Sequence, residues 1–280
     1  MTILVTGATG TIGRQVVRQL AEAGHRVRAL TRTPETAVVP AGVEVVGGDL
    51  ARPATLASAL SGVTAMHLIS IGGDDYAPLR TGDEIMAMAG AAGVGRVTVL
   101  TGSDDELAVL RAVTASGVSW THVRPLEFMA NKLAWGPSIA QDGTVAAFGE
   151  APMAIVHEAD VAAVVVAGLT ADGHHGATYS PTGPAVLSRP AAAETIGEVI
   201  GRTVRFKPLT RAEARAGMLA DGVLPEVADY VLDYEASPPP EAAVVSPVVA
   251  EVTGRPPRRF AEWVAEHAAE FRPKPSEETD

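Results

Sequence analysis

No cysteine occurs among the 280 residues, which excludes disulfides, thiol nucleophiles and cysteine–metal sites. Basic residues are scarce, 22 Lys and Arg against 33 Asp and Glu for a net charge of −11. A general nucleic-acid surface needs clustered Lys and Arg to neutralise phosphates, so none is expected. No apolar run is long enough to span a bilayer, and no basic segment precedes an apolar start. The expectation is a soluble cytoplasmic protein without a membrane partner. No fixed-period repeat is visible either. What is abundant is hydrophobic material, 47% against 20% charged. That is enough for a substantial core in one large domain or two small ones.

The first fourteen residues organise the rest. Thr2, Ile3, Leu4 and Val5 read as a short buried strand. Gly7, Gly10 and Gly13 follow at G-x-x-G-x-x-G spacing, and Ile12, Val16, Val17 and Leu20 carry helical periodicity toward Gly24. A strand, a glycine turn and a helix in that order make a dinucleotide site. Glycine permits the tight turn and the approach of a pyrophosphate, and the N–H groups of the first helical turn favour its charge.

Further β-α units follow. Arg26 to Arg32 reads as the second strand, ending in Thr31-Arg32-Thr33, with Glu35 the first carboxylate after it. Sites that prefer NAD carry an acid near this point to bind the ribose 2′-hydroxyl. A cation without an acid, Arg32, points instead to a 2′-phosphate and hence to NADP(H). Val43 to Leu50 is the third strand and its exit; Asp49 suits either the adenine edge or the start of a helix over Pro53 to Leu60. Val63 to Ser70 is the fourth strand, which puts Ser70 at the ligand end of the sheet and His67 inside the strand as a packed core residue. Asp83 is read as the cap of a helix ending at Gly93 to Gly95. Arg96 to Thr101 is the fifth strand, leading to Gly102. Ser103 and Glu106 have capping-box spacing ahead of a helix that runs to Gly117. Trp120 to Pro125 is the sixth strand.

Such repetition predicts an α/β fold, a Rossmann-type doubly wound parallel sheet with helices on both faces and a smaller C-terminal α/β substrate-binding part. Residues 1–125 are assigned to the nucleotide-binding core and 126–272 to the smaller part, and 273–280 to a disordered tail. Asp160 is read as the N-cap of a Val-rich helix that packs back on the core. Pro190 to Ile200 is helical, Val204 to Pro208 a short strand, and Thr210 with Glu213 a second capping box. Pro238 to Pro240 is a loop. Phe260 to Phe271 reads as one amphipathic helix. His174 and His175, between Gly173 and Gly176 and without a carboxylate pattern, read as a surface loop, so no metal is expected.

The chain resembles the NmrA-like branch of the atypical short-chain dehydrogenase/reductase superfamily. The residues that carry the resemblance are Val5 to Arg14, Gly48-Asp49-Leu50, Trp120 to Pro125 with Phe128 and Asn131, and Thr253 to Trp263. The resemblance implies a Rossmann domain binding NADP(H) and a smaller part closing a substrate cleft. It places Gly7, Thr9, Gly10, Thr11 and Ile12 on the pyrophosphate and Arg32 on the 2′-phosphate. Asp49 and Leu50 would flank the adenine, Ser70 and Gly102 would line the ribose and nicotinamide path, and Pro125 would lie near the nicotinamide.

The superfamily's usual proton donor, a Tyr-x-x-x-Lys pair, is missing. Four residues after the four tyrosines stand Arg80, Gly183, Tyr234 and Pro238. No pattern therefore identifies the catalytic group. Tyr76, His122 and His157 are candidates, with Arg124 and Glu158 nearby in the chain, and each has a purely structural alternative. The leading expectation is an NADPH-dependent oxidoreductase, monomer or homodimer, that passes hydride to a small electron-poor substrate, a quinone, enone or carbonyl compound of aromatic or quinone-like character. A quinone can take its protons from water, so this chemistry tolerates the missing tyrosine. The alternatives are a non-catalytic NADP(H)-sensing regulatory protein and a biosynthetic tailoring enzyme catalysing a redox-neutral step.

Overall fold

In the computed structural model, which describes residues 1–73, 77–102 and 106–273, short apolar strands pair in parallel to form the centre of the first of two units. The strands are β1 (Thr2–Val5), β2 (Arg26–Thr31), β3 (Glu44–Gly47) and β4 (Ala65–Ile69). A two-residue antiparallel pair, β5 (Ile71–Gly72) and β6 (Ala77–Pro78), precedes β7 (Arg96–Leu100) and β8 (Ser119–Val123). β9 (Thr144–Ala147) belongs to the second unit, and β10 (Ala177–Tyr179) returns to the first. The sheet has seven strands in the order β10-β8-β7-β4-β1-β2-β3, every pair parallel. The strand order reverses between β1 and β4, the switch point at which open α/β sheets receive their ligands. The Rossmann-type expectation holds, with one strand more than the six read from sequence. β10 is only Ala-Thr-Tyr, too short to show a period.

Helices cover both faces. α1 (Gly13–Glu22) buries Val16, Val17 and Leu20. α2 (Ala57–Leu60), α3 (Gly82–Ala91) and α4 (Leu107–Ala115) cover the opposite face. There Leu4, Met66, Leu68, Val97 and Val99 of the strands meet Ile85, Met86, Ala89, Val109 and Val113. Parallel strands buried on both faces read as unbroken Val, Ile and Leu runs, as these do. α5 (Gly136–Asp142) lies in the second unit, while α6 (Glu158–Thr170) packs on α1 and over β4, β7 and β8. Its run Val161 to Val165 is buried all round, and the Gln19 side chain donates to Ala159 O (2.8 Å).

The first unit comprises Met1–Leu126, Glu158–Pro181 and Pro247–Pro256. The second comprises Glu127–His157, Thr182–Ser246 and the chain from Pro257. The second unit contains the parallel pair β9 and β11 (Arg205–Pro208). With them are α7 (Arg189–Ile200), α8 (Arg211–Ala220) and α9 (Pro225–Ala236). α10 (Val248–Thr253) packs on α6 in the first unit, and α11 (Phe260–Glu266) and α12 (Ala268–Phe271) complete the second. Trp263 is fully buried, stacked on Phe260 and His267 at centroid distances of 5.6 and 4.4 Å. Two ion pairs are largely withdrawn from solvent here, Lys132 with Glu127 (2.8 Å) and Arg189 with Glu235 (2.6 Å).

Several local expectations are corrected. Asp83 does not cap α3; Thr81 precedes the helix, and Asp83 is its second residue, where a carboxylate suits the helix dipole. Asp160 is likewise inside the first turn of α6, which begins at Glu158. The terminal helix is two short ones, interrupted at His267, whose φ of −110° and ψ of 17° leave the helical region. The Thr210–Glu213 capping box is present, each side chain meeting the other's backbone N–H. Ser103, Tyr76 and the tail from residue 274 lie outside the described residues. Among the described residues, no helix is long and apolar enough to cross a membrane, and no group of three or more His, Asp or Glu is placed to hold a metal.

His67 sits fully buried in β4, its Nδ1 within 2.9 Å of Thr98 Oγ1 and its Nε2 without a partner. Burial pushes its pKa down to about 4 from 6.5. As pH falls below 6.5 the unfolded chain takes this proton before the folded one, so stability is lost through the window from 6.5 to 4. The loss from this group reaches about 3 kcal/mol by pH 4. Urea unfolding across that range is expected to show a shallower pH slope in His67→Leu than in the wild type; equal slopes would remove His67 as the cause.

Candidate dinucleotide site

The residues expected to form the site all lie at the C-terminal ends of the parallel strands. After β1 the chain turns at Gly7, whose φ of +59° is a left-handed conformation that side-chain-bearing residues rarely adopt. Gly10 N–H donates to Gly7 O (2.9 Å), which closes the turn, and Arg14 N–H donates to Gly10 O (3.1 Å) as α1 starts. Gly13 is packed hardest: a Cβ there would stand 2.0 Å from Gly7 O. At Gly10 the nearest atom to such a Cβ is Gly7 O at 3.2 Å, and the residue lies exposed between Thr9 and Thr11. The three glycines thus differ in purpose. Gly7 supplies the turn, Gly13 the helix–strand contact, and Gly10 an open backbone surface. No side chain caps the N-terminus of α1 at Ile12. An exposed, glycine-opened helix N-terminus of this kind fits a pyrophosphate.

The next strand ends carry charge. Arg32, just past β2, is exposed, and its Nη1 donates to Gly73 O. Asp49, past β3, is nearly buried. Its Oδ1 accepts from Ala51 N–H (2.9 Å) and its Oδ2 from Arg52 Nε (3.0 Å). Burial pushes the Asp49 carboxyl up, but the Ala51 N–H, the Arg52 guanidinium and the charge of Arg32 together hold it below the usual carboxylate range. Both sequence readings of Asp49 remain compatible with this placement, for it anchors the turn into the next helical segment while lying close enough to Arg32 to feel its charge. Leu50 is buried, and its carbonyl accepts from Thr81 Oγ1 (2.7 Å).

At the centre, β1 and β4 are locked by Thr6, whose N–H donates to His67 O (3.0 Å) and whose Oγ1 accepts from Ile69 N–H (2.9 Å). Ser70 follows β4, and its hydroxyl faces Leu100 O (2.8 Å) and the Glu106 carboxylate. Glu106 Oε2 also accepts from Gly102 N–H (2.8 Å). Glu106 was legible in sequence only as a helix-capping residue; its spacing gave no sign that it reaches back to the ends of two strands. Past β8, Arg124 N–H donates to Tyr179 O (2.8 Å), and Pro125 is buried beside it.

Each of the two candidate histidines has a partner inside its own unit. His122 is buried in the first unit, its Nε2 2.8 Å from Thr101 Oγ1. Burial first, and the Arg124 charge second, hold it below the ordinary imidazole range. His157 is buried in the second unit, its Nε2 3.3 Å from Glu266 Oε2. His174 and His175 are taken up by Tyr179 and Trp120, as a loop packed on the sheet edge.

Fold and strand-end geometry define a Rossmann-type α/β protein with a glycine-turn site at its switch point. The NmrA-like family model matches residues 1–101. A (4-alkanoyl-5-oxo-2,5-dihydrofuran-3-yl)methyl phosphate reductase from Streptomyces griseus is 42% identical, over 97% of this chain and 100% of its own. An NAD(P)H azoreductase from Xenophilus azovorans is 36% identical, over 96% and 99%. An NADPH-dependent quinone oxidoreductase from Escherichia coli, solved with NADPH, is 25% identical, with a TM-score of 0.79 over 95% of this chain and 99% of that one. The chain belongs to the NmrA-like family.

The glycine geometry makes a contrast that chemical denaturation can read. Gly13→Ala must displace backbone and is expected to cost more than about 2 kcal/mol. Gly10→Ala is expected to stay within about 1 kcal/mol of the wild type. Equal costs would contradict the division of roles.

Proposed function

We propose that this protein is an NADPH-dependent reductase of small, electron-poor molecules such as quinones, enones and carbonyl compounds. The observation that carries the reading is Arg32, a cation at the end of β2, the strand beside the one that leads into the glycine turn, where a site that prefers NAD carries an acid. The names of the relatives support the substrate class. A quinone, an azo compound and a furanone bearing a conjugated carbonyl all accept two electrons into a conjugated system.

In this reading the backbone from Gly7 to Ile12 and the first turn of α1 hold the pyrophosphate. Arg32 pairs with the 2′-phosphate by charge-assisted bonds. Asp49 and Leu50 flank the adenine, Ser70 and Gly102 line the ribose and nicotinamide path, and Pro125 borders the nicotinamide. A bound reduced nicotinamide supplies the hydride. The protein's own contribution is to orient the two reactants, with protons drawn from water, so no tyrosine–lysine pair is required.

Arg32→Ala is expected to weaken NADPH about 10- to 100-fold while leaving NADH nearly unchanged, the loss of a charged hydrogen bond. Equal affinities for NADPH in both proteins, titrated by fluorescence, would sink the role of Arg32. The activity is tested by following NADPH oxidation against quinones, azo dyes, enones and aldehydes over a protein-free blank. Turnover with NADPH preferred supports the reductase. Tight NADPH binding without turnover on any of them would replace it with a sensing or redox-neutral role.

A further inference from the structure

Glu106 places a carboxylate across the ends of two central strands. Ser70, at the end of β4, donates its hydroxyl toward it, and Gly102, just past β7, donates its N–H (2.8 Å). The same Ser70 hydroxyl lies 2.8 Å from Leu100 O, a second acceptor for its single proton at the last residue of β7. A Cβ at Gly102 would lie 3.2 Å from Glu106 Oε1, a tight contact that glycine avoids. β4 and β7 lie beyond the switch point from β1, β2 and β3. A dinucleotide whose pyrophosphate rests on the β1–α1 turn and whose adenosine half lies toward β2 and β3 therefore extends its other half over β4 and β7.

We propose that Glu106 is the hydrogen-bond acceptor that holds the nicotinamide half of the cofactor. This rests on the dinucleotide reading above. The groups on that half that need acceptors are the ribose hydroxyls and the carboxamide NH2. An ionised carboxylate is acceptor-only, with room for about four hydrogen bonds. The strand-end donors Ser70 and Gly102 fix where it sits, so its orientation is set before the cofactor arrives. Arg32 and Glu106 then divide the molecule between them, the cation reading the adenosine half and the carboxylate the nicotinamide half.

The division makes the test. NADPH and adenosine 2′,5′-bisphosphate, which has the adenosine half alone, are titrated calorimetrically into the wild type, Glu106→Ala, Glu106→Gln and Arg32→Ala. Glu106→Ala is expected to bind NADPH about 10-fold more weakly, the loss of a charged hydrogen bond, and to bind the bisphosphate as the wild type does. Arg32→Ala is expected to weaken both ligands. Glu106→Gln keeps an oxygen to accept from Gly102 and Ser70 but turns the other carboxylate oxygen into an NH2 donor. It is expected to weaken NADPH selectively while melting like the wild type, and it carries the test if the alanine variant does not fold. Unchanged NADPH affinity in the Glu106 variants overturns the proposal, as does an equal loss for both ligands, which would make Glu106 a support of the strand ends. A wild type that binds neither ligand overturns the dinucleotide reading itself, and is told apart because no variant is then needed.

Discussion

Gly13 lies so near Gly7 that a single added carbon would stand 2.0 Å from its carbonyl oxygen, and the architecture of the first unit starts from that contact. It sets the angle at which α1 leaves β1, and with it the packing of Val16, Val17 and Leu20 on the sheet. α6 then packs on α1, drawing Glu158–Pro181 back to the first unit after an excursion of the chain through the second. Close packing transmits such a local requirement far, because interiors are as dense as organic crystals and have few places to relax. The start of the helix lies beside the exposed residues Thr9, Gly10 and Thr11 at the sheet's ligand end.

Around that opening the strand ends carry a graded set of charges in a chain that is acidic overall. Arg32 stands past β2, the Asp49 carboxylate is hydrogen-bonded within its own turn to Ala51 and Arg52, and Glu106 is moored to Ser70 and Gly102. In the proposed reading, the cation past β2 takes the phosphate end of the dinucleotide and the carboxylate past β7 takes its hydroxyl and amide donors. Two buried histidines of the first unit, His67 and His122, pair with threonine hydroxyls, and burial lowers the pKa of both, with the Arg124 charge adding to the effect at His122. Reduction of conjugated acceptors, in which the proton comes from solvent, places fewer demands on the protein than reduction through a dedicated acid.

Much of the first unit was legible because its signals are local. β1, the glycine turn and α1 were read within one or two residues of their observed bounds, and the alternation of apolar runs with helical spacing sufficed for a doubly wound sheet. The errors came where local signals are weak or compete. Asp83 and Asp160 look like caps, because an acid before an apolar run has the same sequence signature at N-cap as inside the first turn, where the helix dipole also favours it. β10 is three residues long, and only the exposed edge of β8 makes it a strand. The break at His267 falls inside an amphipathic pattern that continues past it, since Trp263 packs on both His267 and Phe271.

What the sequence by itself determined was the order of strands and helices, the glycine turn with its open backbone, the cation after β2 and the lack of a tyrosine–lysine pair, all of which depend on residues close together in the chain. Only the tertiary structure decided which segments belong to which unit, the burial that lowers the pKa of His67 and His122, and the meeting of Glu106 with Ser70, thirty-six positions earlier. Those depend on parallel strand pairing, in which neighbours in space are separated in sequence by a whole helix crossover. No spacing rule along the chain reports which carboxylate a crossover will bring to which strand end.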